Sequence, residues 1–218
     1  MGGDECVLEL ACGFGRHALE LARRGYAVVG VDITPEYVSE AEKKAKEGGL
    51  NVKFICADLR DVSFHEEFDV VLNLADGAIG YLENDQENLK VFDLIASALR
   101  PGGKHLMGIC NAAHAKKHFP RRHWEMGSHR LSLADFAWDK ENSRMLYTAY
   151  SFKYGQPLAK PEGEASVSSI RLYTIDELQE ILALSGMEIK QTYGGYDTSI
   201  PASEDQLTLL VYSLKQSA

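Results

Sequence analysis

Residues 7–18 constrain this chain more than any other stretch. Val7, Leu8, Glu9 and Leu10 form a run too short for a helix and suited to a strand buried on both faces. Gly13 and Gly15 follow; with no Cβ, they let the backbone turn sharply and let a ligand lie against it. A helical pattern begins directly after them, so its unpaired N–H groups and positive dipole end point into the same space. Such an assembly suits an extended ligand with an anionic end. Gly13, Gly15 and Ala18 also fit the Gly-x-Gly-x-x-Gly/Ala pattern of dinucleotide binders, so the spacing of later acids has to discriminate.

Residues 26–31 read as a second strand ending in Asp32, placed to accept from two ribose hydroxyls. Residues 52–56 read as a third, followed by Ala57, Asp58 and Leu59. Glu9, Gly13, Gly15, Asp32, Asp58, the strand end at Asn73 and Leu74, and the turn Pro101-Gly102-Gly103 form a specific succession. It resembles the motifs of class I S-adenosylmethionine (SAM)-dependent methyltransferases over most of residues 6–110. The chain departs from the family at Ala11, where glycine is usual.

The resemblance implies an α/β fold with a doubly wound, mostly parallel seven-stranded sheet of order 3-2-1-4-5-7-6, strand 7 antiparallel. Here a β-rich insertion would follow strand 5. It also implies SAM as cofactor and S-adenosylhomocysteine as product. By resemblance Glu9 organises the methionine amino group, while Gly13 and Gly15, with Ala11 in the same loop, lie along methionine and ribose. Asp32, with Ile33 beside it, takes the ribose hydroxyls. Asp58 and the Leu59 N–H face the adenine, and Asn73 and Leu74 border the methionine end. Arg16 can reach the methionine carboxylate, and His17 reads as a packed or capping residue. A nicotinamide dehydrogenase is disfavoured by Glu9 and Asp58.

At 218 residues the chain is long enough for one sizeable α/β domain over 1–218. The formal net charge of −9 argues against broad binding to nucleic acid or acidic membranes. No apolar run approaches the ~18 residues needed to cross a bilayer, and no basic-then-apolar signal pattern opens the chain. Cys6, Cys12, Cys56 and Cys110 form no Cys-x-x-Cys pair and fall in or beside predicted strands, as reduced thiols of a cytoplasmic protein do. Only residues 1–5 precede the first strand, where the resembling family places a helical segment over the cofactor. The expectation is a cofactor cleft open on that side, or a natural chain that is longer.

The first helix is expected over 15–24, with Ala18, Leu21 and Ala22 toward the sheet. The second has Thr34 as N-cap and Pro35 at its first position. A third spans 85–99 with Leu89, Phe92, Ile95 and Leu99 at helical spacing. Thr174 and Glu177 form a capping box for another, and strands over 188–193 and 207–214 complete the sheet.

Residues 111–170 are the non-standard part, far longer than the usual connection of ~2–6 residues. Residues 131–138 and 144–152 read as a hairpin. Residues 124–154 hold seven of the chain's 20 aromatics, so this segment packs over something. Ligands of open α/β sheets bind outside the C-terminal strand ends, which is where strand five delivers it. It reads as a substrate lid, the alternative being a structural flap or dimer surface.

The catalytic residue stays unassigned. Asp76, Tyr81, His114, Tyr147 and Tyr150 sit on segments that can reach the methyl group as base or positioning group. His114, His118, His123 and His129 lie close together without a carboxylate or cysteine at ligand spacing, so no metal is expected. Residues 111–130 carry five cations against Glu125, a local excess that can draw an anionic acceptor or simply keep the segment soluble. The expected activity is methyl transfer from SAM to N or O of a small molecule, without nucleic acid or membrane. A macromolecular (RNA or protein) methyltransferase and a non-catalytic SAM-binding module are the alternatives.

Overall fold

A computed structural model of the chain describes residues 5–75, 77–157, 159 and 166–217. Strand β1 (Cys6–Leu10) leads to α1 (Arg16–Arg23), β2 (Ala27–Asp32), α2 (Pro35–Glu47), β3 (Val52–Cys56), β4 (Phe68–Asn73), α3 (Asp85–Ala98) and β5 (Leu99–Cys110). Then come α4 (Ala112–His118), β6 (Arg121–Met126), β7 (Arg130–Asp139), β8 (Arg144–Lys153) and β9 (Ser168–Arg171). Helix α5 (Ile175–Leu184), β10 (Met187–Tyr193) and β11 (Thr208–Lys215) follow.

Seven strands form one sheet in the order β10-β11-β5-β4-β1-β2-β3, parallel from β5 to β3, with β11 antiparallel to both neighbours. This is the expected order, with β11 as its strand 7. The order of travel reverses between β1 and β4, which opens a crevice beyond their C-terminal ends.

Both faces of this sheet are covered, and alternation along β1 shows how. Leu8 and Leu10 point into a core with Val71, Phe92, Ile95, Leu178 and Leu182, roofed by α3 and α5. Val7 points the other way, with Ala18, Leu19, Val38, Ala41 and Phe54 beneath α1 and α2. Leu19 takes the buried place expected of Leu21, which is only partly covered.

One further local expectation is corrected. Leu89 is 39% exposed, and Asn88 is buried instead. The Asn88 amide accepts from Leu82 N (3.1 Å) and donates to Asn84 O (3.0 Å), so a polar residue satisfies the loop and turns the helix. Thr34 stands at the N-cap of α2 but its side chain makes no capping bond; the Thr34 N–H is itself held by Asp32 Oδ1 (2.9 Å). The Thr174–Glu177 capping box is present as expected.

The predicted hairpin is β7–β8, but β6 and β9 extend it to a four-stranded antiparallel sheet, β6-β7-β8-β9. Its two stems meet at the end of β5, where Asn111 bridges Tyr173. Phe136, Trp138, Met145 and Ile170 pack with Ala112, Ala115 and Phe119 into a small separate core under α4.

Candidate functional site

The crevice at the sheet reversal is lined by acids whose partners are backbone N–H groups. Gly15 is the N-cap of α1, in the left-handed region at φ 69°, and has no side chain to cap with. Glu9, 3% exposed, does that work from β1: Oε2 accepts from Ala18 N (2.9 Å) and Oε1 meets His17 Nδ1 (2.8 Å). Arg16 lies outside this pairing, its guanidinium near His17 Nε2 (3.2 Å).

Asp32 is 7% exposed and clamps the loop from β2. One oxygen accepts from Gly13 N (2.7 Å) and the other from Thr34 N (2.9 Å). A Cβ added to Gly13 would meet no atom within 4 Å, whereas one at Gly15 would strike the Phe54 ring at 2.7 Å. Gly13 therefore borders open space and Gly15 closes the packing beneath it. Ala11 sits at φ 52°, where glycine is at ease and alanine is strained by roughly 1–2 kcal/mol. The family's usual glycine is thus explained, and the departure is tolerated with strain. Burial, then the Glu9 and Asp32 charges, pushes the Cys12 thiol up to about 12, so it stays protonated.

Asp58 is held by a residue that the sequence reading missed. Arg60 donates to Asp58 Oδ1 through Nε (3.0 Å) and to Oδ2 through a terminal nitrogen (2.6 Å), and also meets Glu83 and Glu87. Those hydrogen bonds draw the Asp58 carboxyl down to about 2, so it is a fixed anion at neutral pH. Ile33, 64% exposed beside Asp32, and Phe14, 50% exposed between the glycines, offer apolar surface there. Leu59 is half-buried and packs into the main core. Buried anions at strand ends, open space over Gly13 and flanking apolar side chains fit a ligand that joins an amino acid, a ribose and a purine.

On the other side of the crevice, Asn73 is fully buried at the end of β4. Its Nδ2 donates to Gly77 O (2.9 Å), while its Oδ1 has no partner among the described residues. The segment between β10 and β11 reaches the same end. Tyr196, not picked out from the sequence, accepts at its hydroxyl from Ala75 N (3.3 Å) and lies over Gly108, where a Cβ would meet that hydroxyl at 2.8 Å. The signal for it was the pair Gly194-Gly195 directly after a strand that ends at the ligand side.

The catalytic candidates separate. Asp76 lies outside the described residues, as do residues 1–4 and with them most of the segment before β1. Tyr81 is 48% exposed on the loop after β4. His114 is 4% exposed in α4, its Nδ1 3.1 Å from Glu204 O. A carbonyl only accepts, so Nδ1 carries the proton and Nε2 keeps a lone pair, buried and unpartnered among the described residues. Burial, then neighbouring His118, lowers its pKa and keeps the ring neutral. Tyr147 pairs across from Phe136, on the face toward α4; Tyr150 pairs across from Leu133, on the opposite face. Three residues apart on one strand, they cannot both reach the same methyl group. The basic run is partly spent: Lys117 pairs with Glu204 and Asp205, and Arg122 with Asp135.

Residues 7–103 match the family model described as a methyltransferase domain. Along the sequence the chain is similar to a putative methyltransferase, YqeM, of Bacillus subtilis, at 22% identity over 92% of this chain and 80% of that protein. Other curated relatives are matched over less than half of their own length. In structure it resembles a SAM-dependent methyltransferase from Clostridium acetobutylicum, with TM-score 0.80 and 17% identity over 100% of this chain and 86% of that one. It also resembles SAM-bound CalS10, an amino pentose methyltransferase from Micromonospora echinaspora, with TM-score 0.67 and 17% identity over 97% and 84%.

Proposed function

We propose that this chain, whose residues 7–103 match a methyltransferase-domain model and whose fold is that of SAM-dependent methyltransferases, methylates N or O of a small-molecule acceptor with SAM as the methyl donor. The acceptor would lie between the ends of β4 and β5, the Tyr196 loop and α4. SAM, when bound, supplies a methyl group on an activated sulfonium and leaves as S-adenosylhomocysteine.

The chain's own residues have distinct tasks in this reading. Asp32 uses the second lone pairs of its carboxylate for the ribose hydroxyls while its backbone bonds hold the loop shape. Asp58, kept anionic by Arg60, accepts from the adenine amino group. Ile33 and Phe14 exclude water from the flanks. Glu9 fixes the first turn of α1 and leaves a lone pair toward the methionine amino group. Asn73 and Leu74 border that same end. Tyr196 orients the acceptor, and His114 Nε2 takes the proton that an amine or hydroxyl loses as it is methylated. The insertion sheet screens the acceptor from water as a lid.

The observation that carries the reading is the buried, unpartnered Nε2 of His114 in the helix that leaves the end of β5. The similarity to an amino pentose methyltransferase supports an amine or hydroxyl acceptor. The test is labelled methyl transfer from SAM into a panel of small amines and alcohols, with RNA and protein fractions beside it. His114→Gln should bind SAM with unchanged affinity by calorimetry and lose at least ~100-fold in turnover. Label found only in RNA or protein would refute the small-molecule reading; SAM binding without turnover on any acceptor would favour a non-catalytic module.

A further inference from the structure

The insertion sheet has two edges, and they differ. At β9, Arg171 N donates to Gly80 O (2.8 Å), and the chain there is so close that a Cβ on Gly80 would strike Arg171 O. The far edge is β6, and all six of its residues are exposed. Trp124 and Met126 are 64% and 68% exposed on it. An uncovered edge presents unpaired N–H and C=O groups to any strand that can align with them. The main sheet's edges are not comparable. β10 carries a register irregularity between Ile189 and Gln191 and a Glu188–Lys190 ion pair, and β3 packs against α2.

We infer that β6 is an interface strand that pairs antiparallel with β6 of a second copy of this chain, joining two insertion sheets into one of eight strands. The occupant follows from the order of charges along the strand. Arg121 and Glu125 stand two residues either side of His123 and point to the same face. A two-fold axis perpendicular to the sheet keeps faces matched, so residue i can oppose only a residue of the same parity. With His123 on the axis, each Arg121 opposes the other copy's Glu125, and each Arg122 opposes the other copy's Trp124. Two ion pairs and two cation–aromatic contacts then form at once. Shifting the axis to Arg122 sets the two Arg122 side chains against each other; shifting it to Trp124 leaves Arg121 unmatched. Among the described residues neither Arg121 nor Glu125 has an ion-pair partner within its own chain, so both are available.

The experiment is sedimentation velocity on the full chain from micromolar to hundreds of micromolar. Expected is a concentration-dependent dimer whose dissociation constant rises at least ~10-fold in Glu125→Arg and in Arg121→Glu, where like charges now oppose. The combined Arg121→Glu, Glu125→Arg chain should regain the dimer, because the pattern is again self-complementary. All four proteins should keep the same circular dichroism spectrum, since both positions are exposed. A monomer throughout the range would overturn the inference. So would a dimer indifferent to the single reversals, or one that the double reversal fails to restore.

Discussion

Between Cys6 and Cys110 the acids at the strand ends have fixed partners: Glu9 and Asp32 hold backbone N–H groups, and Asp58 is locked by Arg60. From Asn111 to Tyr173 the pattern is different. A small core of Met145, Ile170, Leu172, Ala112 and Ala115 supports a sheet whose outer strand, β6, is wholly exposed. In the first region Glu9, Asp32 and Asp58 are each oriented by hydrogen bonds within the chain. The second is held at its stems, by the Asn111–Tyr173 bridge and by Asn111 Nδ2 donating to Ser203 O (2.9 Å) and Gln206 O (3.1 Å).

The largest contrast should appear in stability. Phe92 is 1% exposed at the centre of the main core, so Phe92→Ala should cost ~3–5 kcal/mol in chemical denaturation. Phe136 is only partly covered, in the insertion, and Phe136→Ala should cost ~1–2 kcal/mol. Equal losses would mean that the insertion is as integral to the fold as the sheet.

Cofactor binding should separate the regions next. Asp32→Ala removes an acceptor from the proposed ribose contacts and releases Gly13 N and Thr34 N together. At ~1.5–3 kcal/mol for each hydrogen bond to a charged group, SAM affinity by calorimetry should fall at least tenfold. Unchanged affinity in a folded variant would remove Asp32 from the site. No substitution confined to the insertion should have this effect.

The smallest effect tests the insertion against itself. Tyr147 lies on the face toward α4 and Tyr150 on the other. If the sheet is a lid, Tyr147→Ala should raise KM for the acceptor several-fold with SAM affinity intact, and Tyr150→Ala should leave both near the parent values. The reverse order would mean that the acceptor approaches from the outer face.

Much of the first region was legible because its signals are local. A strand that must be buried on both faces, a glycine turn and a helix start follow from residue types at fixed spacing, so Glu9, Gly13, Gly15, Asp32 and Asp58 could be marked without coordinates. The sequence alone also determined the hairpin of β7 and β8, since alternation and a polar turn specify it. Three things only the tertiary structure decided. Asp58 is anchored by Arg60, whose other partners, Glu83 and Glu87, come from more than twenty residues away. Tyr196 reaches the end of β4 because β11 runs antiparallel and returns its preceding loop to the ligand side. That Tyr147 and Tyr150 face opposite ways follows from their spacing on one strand, but that the Tyr147 face is the one toward α4 follows from Phe136, Trp138 and Met145 packing on Ala112 and Ala115. Arg60 is held in place by Glu83 and Glu87, and Tyr196 meets Ala75, across long separations along the chain; local pattern carries no information about which distant groups the packed sheet will bring within hydrogen-bond reach.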